Sequence, residues 1–260
     1  MKPTTVGYQR HERVAVITLN RPEKRNAFNQ NLVEELTVAF ERAQNDPTVA
    51  VVLLASEGKS FCAGADLGYL QQLQGFSYEE NLADSTRLKE LFARIYHFPK
   101  VVVGAVQGHA LAGGCGLVTV CDYVWSVSAA KFGYTEVKIG FVPAIVMPFL
   151  VRKIGQSRAR ALLLTGDWIT AQQALEYGIV HQIVETTEEL QTRSLAFAQH
   201  LAQTNSSNAM QLTKKMLLQT ADQDTEAAIE EGAELNARAR QTPDCQRGIA
   251  AFLNKEKIIW

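Results

Sequence analysis

Three stretches of this chain carry residue types at spacings that suit carbonyl and acid–base chemistry. The first, Phe61-Cys-Ala-Gly-Ala-Asp-Leu67, directly follows an apolar run at Val49–Ala55. Gly64 permits a sharp turn that leaves the next backbone N–H, that of Ala65, unpaired and pointing outward. The second, Gly108-His-Ala-Leu-Ala-Gly-Gly-Cys-Gly-Leu117, follows the run Val101–Val106. Its small residues lead into a helix whose first N–H groups have no internal partner and whose dipole favours negative charge. Two N–H groups converging from two strand ends make an oxyanion hole for a carbonyl oxygen on its way to an enolate. Each such donor contributes about 3 kcal/mol to the transition state. The third is Phe132-Gly-Tyr-Thr-Glu-Val137, in which Glu136 sits among Phe132, Tyr134, Val137, Ile139 and Phe141. A carboxyl desolvated there has a raised pKa and can take and return a proton near neutrality. Singly, each has a plainer explanation: tight strand–helix turns that need small residues, or a surface glutamate paired with Lys131 or Lys138.

The elements that must position these residues follow from the hydrophobic pattern. Val14–Leu19 is a β-branched run and reads as a strand, followed by a polar loop broken at Pro22. Asn29 precedes the periodic set Leu32, Leu36, Ala39, Phe40 and Ala43, so it is placed to cap a helix that ends at Asp46-Pro47. Val49–Ala55, Val101–Val106 and Tyr123–Val127 read as buried strands, with an irregular glycine-bearing segment at Gly58–Asp66. The 77–96 region reads as a long helix stopping before Pro99. Gly108–Gly116 and Phe132–Glu136 read as loops, Gln156–Leu164 as helix, and Phe141–Val151 as buried strand or helix. Thr170 and Gly178 bracket a short helix, and Ile179–Val184 reads as a strand. From about Thr187 the pattern is helical and more polar. The expectation is an α/β core over residues 1–190 and a helical C-terminal region over 191–260.

Composition limits the function. The 260 residues are 47% hydrophobic, enough for a sizeable core. A formal net charge of −1 gives no footprint of nucleic acid or of an anionic membrane surface, so neither is expected as a partner. The four cysteines, Cys62, Cys115, Cys121 and Cys245, form no C-x-x-C pair and read as reduced, mostly buried thiols. No apolar signal core opens the chain and no apolar run is long enough to span a bilayer, so a cytoplasmic protein is expected. No G-x-G-x-x-G or P-loop pattern is present, and the five histidines show no metal-ligand spacing.

Taken together, the two glycine loops resemble the signature loops of the enoyl-CoA hydratase/isomerase (crotonase) family, and the likeness extends over nearly the whole chain. Arg21-Pro-x-x-x-Asn26-Ala27 resembles the family's N-terminal CoA-contacting loop. Thr165-Gly166-x-x-Ile169-x-Ala171-x-x-Ala174-x-x-x-Gly178 resembles its core–appendage junction, and Gly248-x-x-Ala251-Phe252-Leu253-x-Lys255 its C-terminal CoA-contacting helix. The resemblance implies an α/β fold, a spiral of ββα units with a helical C-terminal region, and assembly as a trimer or hexamer. It implies that the N–H groups of Ala65 and Gly113 are the oxyanion donors and that Glu136 is a catalytic carboxylate. It implies no permanently bound cofactor, coenzyme A arriving as part of the thioester substrate. Lys24, Arg25, Ala63, Asp66, Leu67, Phe252 and Lys255 are the expected CoA contacts, the last two from a neighbouring subunit. Tyr69, His109, Gly116, Tyr134 and Phe141 are the expected pocket residues. His109 also reads as a loop imidazole bonded to backbone, Asp66 as a brace for its loop, and the aromatics as plain core.

One departure is informative. Typical hydratases of the family carry a second glutamate in a Gly-Gly-Cys-Glu-Leu context, and here that position is Gly116. One carboxylate serves an isomerase, which removes a proton beside the thioester and returns it two carbons along. It also serves a hydratase or dehydratase in which Glu136 handles both water and the α-proton. Glu136-Val-Lys-Ile-Gly-Phe-Val-Pro143-Ala144-Ile-Val resembles members acting on branched 3-methylglutaconyl-type substrates, which favours hydration of a short or branched enoyl-CoA. A thioesterase, a decarboxylase or a non-catalytic acyl-CoA-binding protein of the same fold are the alternatives.

Overall fold

The computed structural model describes residues 4–221 and 223–260. β1 (Val6–His11) and β2 (Val14–Leu19) form a hairpin that turns at Glu12, where φ is 53°. α1 (Gln30–Asn45) follows, its first turn closed by the Asn29 side chain, which accepts the Leu32 N–H at 2.9 Å as its sequence position suggests. The chain then makes three similar excursions. β3 (Val51–Ser56) is followed by a short strand β4 (Ser60–Cys62) and by α2 (Leu67–Leu73) and α3 (Tyr78–Tyr96). β5 (Val101–Val106) is followed by β6 (His109–Leu111) and α4 (Gly113–Thr119). β7 (Tyr123–Val127) is followed by β8 (Lys131–Gly133), a 3-10 turn at Glu136–Ile139, and α5 (Met147–Ile154). α6 (Gln156–Thr165), β9 (Ile169–Thr170), α7 (Ala171–Tyr177) and β10 (Gln182–Val184) lead to the terminal helices α8 (Thr187–Thr204), α9 (Ser207–Thr220), α10 (Thr225–Arg240) and α11 (Pro243–Leu253).

The long strands build one sheet in the order β1-β2-β3-β5-β7-β10, parallel except for the β1–β2 hairpin. The short strands build a second sheet, β4-β6-β8-β9, whose first three members are parallel. Each excursion thus climbs from the large sheet to the small one before turning into a helix, which is the ββα spiral. The central strands are near-continuous apolar runs because both faces are covered. α1 packs on β1 and β2, while α8 lies across β2, β3, β5 and β7. Buried Leu190, Ser194, Ala198 and Ala202 form the α8 contact face, so the composition change near residue 190 falls inside a helix that belongs to the core packing.

Other sequence expectations are corrected at the ends of elements. β4, β6 and β8 span three residues each, within segments that read as loops, because three residues are too few to display strand alternation. The strand expected at Ile179–Val184 shortens to Gln182–Val184, as the His181 N–H and imidazole Nδ1 instead bond the backbone of Val124. Phe141 and Val142 are exposed and precede α5, so only the second half of the apolar stretch Phe141–Val151 is helical core. Buried lysines fasten helix ends. Lys153 donates to the carbonyls of Thr119 (2.9 Å) and Cys121 (2.6 Å) at the end of α4, and Lys214 pairs with Asp122 at 2.6 Å.

Candidate active site

The parallel order β4-β6-β8 brings the three chemistry-bearing segments to one edge, because each leaves its strand at the same end. Ala65 follows β4, Gly113 follows β6 and Glu136 follows β8. Phe28 forms an isolated parallel bridge with Ala65. In that bridge the Phe28 N–H donates to Gly64 O and the Asp66 N–H to Phe28 O, 2.7 and 2.8 Å, so the Ala65 N–H points the other way. Gly113 is the first residue of α4, where a backbone N–H has no partner inside the helix.

Glycine geometry makes the two donors converge. Gly64 has φ +87°, and a Cβ built on it would stand 2.8 Å from the Ala112 Cβ and 3.7 Å from the Gly113 nitrogen. A Cβ on Gly114 would overlap the Cys62 carbonyl. The two loops therefore touch backbone to backbone, which only glycine allows. Ala112 is held at φ 49°, ψ −127°, a conformation an alanine rarely adopts and one that costs of the order of 1–3 kcal/mol. The Ala112 N–H donates to Gly133 O at 2.7 Å, which ties this residue to β8.

Glu136 opens the 3-10 turn and is 9% exposed. Its Oε2 is buried without a hydrogen-bond partner among the described residues. Burial raises its pKa, and the only opposing influence is a hydrogen bond from its own backbone N–H. A buried carboxyl with a raised pKa and an unpaired oxygen is equipped to exchange a proton. Cys62 and Cys115 lie nearby, but burial first of all pushes both thiols up to about 12, which removes them as nucleophiles.

The remaining sequence candidates divide. Asp66 braces its loop: its carboxylate accepts the Gly68 and Tyr69 N–H groups at 2.9 and 3.3 Å and pairs with Arg21 at 3.2 Å. Burial pushes this carboxyl upward, but the hydrogen bonds from Tyr69, Arg21 and Gly68 outweigh it and hold the pKa low. Lys24 shares a surface groove with Arg21, Asp66 and Tyr69. Ala63 donates its N–H to the carbonyl of Arg25, which adopts φ 51°, and Leu67 is 83% exposed beside them. Phe252, 83% exposed, and Lys255 lie at the end of α11, which packs against α9 and α10.

Ala65, Tyr69 and Phe141 line one cavity of about 420 Å³ together with Leu70, Leu73, Leu88 and Ile145. Glu136 and Gly113 are not part of that lining. Two pocket expectations are corrected. Tyr134 is fully buried, its hydroxyl bonded to Thr119, so it forms the floor of the core beneath the site. His109 accepts the Lys131 N–H on Nδ1 at 3.2 Å and packs on Trp168, the ordinary bonding of a structural imidazole. Gly116 is buried, and a Cβ there would collide with Val146 and meet Phe92 at 3.0 Å. The volume a side chain at this position would need is already filled.

Sequence reading overlooked two ionic residues of the cavity, Asp84 and Arg87. Asp84 accepts the Tyr69 hydroxyl and pairs with Arg87 Nη2 at 3.4 Å. Both lie on the helix read from its apolar set, where the cavity-facing positions Asn81, Asp84, Ser85 and Leu88 recur at helical spacing but are mostly polar.

Two glycine loops in backbone contact and a buried carboxyl thus lie at one edge of a ββα spiral. Residues 9–260 match the family model described as enoyl-CoA hydratase/isomerase, and the chain belongs to that family. A protein of Thermus thermophilus provisionally named enoyl-CoA hydratase is 41% identical, with 93% of this chain and 95% of that protein covered. The 2,3-dehydroadipyl-CoA hydratase of Escherichia coli is 35% identical, with 95% and 94% covered. The crystal structure of an enoyl-CoA hydratase from Shewanella pealeana superposes with a TM-score of 0.93 at 32% identity, with 98% and 96% covered.

Proposed function

We propose that this protein is an enoyl-CoA hydratase, a lyase that adds water to a short or branched enoyl-CoA with one glutamate. The observation that carries the reading is the pairing of Glu136, buried with an unpartnered oxygen, with a Gly116 position closed by Val146. The thioester oxygen lies between the Ala65 and Gly113 N–H groups. Ionised Glu136 takes a proton from water as the water oxygen bonds C3. The π electrons move onto the thioester as an enolate, whose oxygen the two N–H groups hold. The same carboxyl then delivers its proton to C2 and is ionised again. Since one group serves both atoms, water and proton add to one face of the double bond.

CoA is part of the substrate. Lys24 and Arg25 meet its phosphates from one side, and α11 presents Phe252 and Lys255 to a neighbouring subunit, as a trimer or hexamer requires. The large exposed side chains Ile249, Phe252 and Leu253 on α11 support such an assembly.

Crotonyl-CoA, 3-methylglutaconyl-CoA and a 3-enoyl-CoA presented to the purified protein test the reading. Loss of the conjugated-thioester absorbance from either of the first two is expected, and Glu136→Gln is expected to lower kcat about 10²–10⁴-fold. Gain of conjugation from the 3-enoyl compound alone would move the activity to isomerisation. Full activity of Glu136→Gln would remove the role assigned to that residue.

A further inference from the structure

The cavity that holds Ala65 is not the plain apolar slot a hydrocarbon tail would want. One wall is aliphatic and aromatic, built by Leu70, Leu73, Phe141 and Ile145. A stripe of α3 adds Asn81, Asp84, Ser85 and Arg87, with Leu88, to the same lining. Arg87 is the only cation among the described lining residues. Its side chain is 40% exposed, and its ion pair with Asp84 runs through one nitrogen at a long 3.4 Å. Asp84, 21% exposed, is also engaged by the Tyr69 hydroxyl. Tyr69 remains a donor at all ordinary pH, since burial, reinforced by the Asp84 charge, pushes its phenol up to about 12.

We infer that Arg87 is a specificity residue that binds a carboxylate at the far end of the acyl group, so that the preferred substrates are CoA thioesters of dicarboxylic acids. This deepens the hydratase reading and rests on it for the position of the thioester at Ala65. A guanidinium offers five donors in a planar fork matched to a carboxylate, more than its contacts with Asp84 and the Tyr69 hydroxyl use. Asp84 and Tyr69 act as positioning residues, holding the fork toward the cavity. A purely apolar tail would strip water from Arg87, Asp84, Asn81 and Ser85 and offer nothing in return, so the same wall that attracts an acid tail rejects a hydrocarbon one. The leucines and Phe141 remain to cover the methylenes between the two ends.

Binding measured by calorimetry separates this inference from the reaction. Saturated glutaryl-CoA and adipyl-CoA are compared with pentanoyl-CoA and hexanoyl-CoA, which match them in carbon number and lack the second carboxylate. The diacid esters are expected to bind at least about tenfold more tightly, a preference of the size one charged contact gives. Arg87→Met is expected to abolish the preference by weakening the diacid esters while affinity for pentanoyl-CoA rises, since no guanidinium is then desolvated, and Arg87→Lys is expected to keep part of the preference. Equal affinity of diacid and monoacid esters for the wild-type protein would overturn the inference. So would Arg87→Met weakening both series alike, which would mark Arg87 as a structural residue only. Crotonyl-CoA turnover by the same preparations reports the hydratase reading separately. If turnover is absent while the diacid preference holds, the reaction assignment fails and the carboxylate site stands.

Discussion

The two glycine loops and the cavity beside them adjoin at Ala65 but are made in opposite ways. The loops are set by backbone against backbone. Gly64, Gly113 and Gly114 sit where a single added carbon meets Ala112, Phe28 or the Cys62 carbonyl. The cavity is set by side chains from α2, α3 and the segment before α5, with Tyr69, Arg87 and Phe141 arriving from separate parts of the chain. The difference teaches where each property is stored. The loop geometry is fixed by packing that tolerates no atom more, while the cavity lining rests on side chains that can be exchanged without moving a strand.

Substitutions that strike the loops are the strongest way to break this comparison. Gly114→Ala forces β4 and α4 apart and displaces the Gly113 N–H, so kcat is expected to fall about 10²–10³-fold in steady-state assays. A variant of undiminished kcat would show that the close approach does not set the donor. Gly116→Glu comes next. It restores the carboxylate that typical relatives carry, yet its side chain collides with Val146 and Phe92. A loss of about 1–3 kcal/mol is expected in urea unfolding, and Val146→Gly in the same chain should return part of it. Asp66→Ala removes the cap of α2 and the partner of Arg21, at a cost of about 1 kcal/mol in the same unfolding experiment. The smallest effect is a pH dependence. Burial raises the Glu136 pKa in the folded chain above its unfolded value of 4.5. Stability from this group is therefore complete below that value and is lost as pH rises through the raised one. Glu136→Gln, which cannot ionise, should show a Tm that gains on wild type as pH rises above 4.5. A constant Tm difference would mean that the carboxyl keeps its ordinary pKa.

The same contrast explains how much could be read from the sequence. Gly64 and Gly114 fall in segments legible in the sequence because a close backbone approach demands glycine at particular places. Asn29, Thr170 and Gly178 are legible because caps are local, and all three occupy the positions their types suggest. Val101–Val106 and Tyr123–Val127 are strands over the full apolar runs. α2 escaped because Leu67, Leu70 and Leu73 show only a fragment of helical period between two glycine-bearing segments, and none of its residues is buried. Phe141 looks like core but is 59% exposed, because a cavity wall shares the composition of an interior. Arg87 and Asp84 stayed hidden because their meaning depends on Tyr69, which lies on another helix.

The contact between Gly116 and Val146 also bears on the ancestry of this chain. A large residue at position 116 is tolerated only after position 146 has become small, and a small residue at 146 leaves a void while glycine remains at 116. Each single step lowers fitness through stability, so the two positions change profitably only as a pair. Positions 116 and 146 are therefore coupled sterically, and the valine acts as a ratchet against any larger residue at 116.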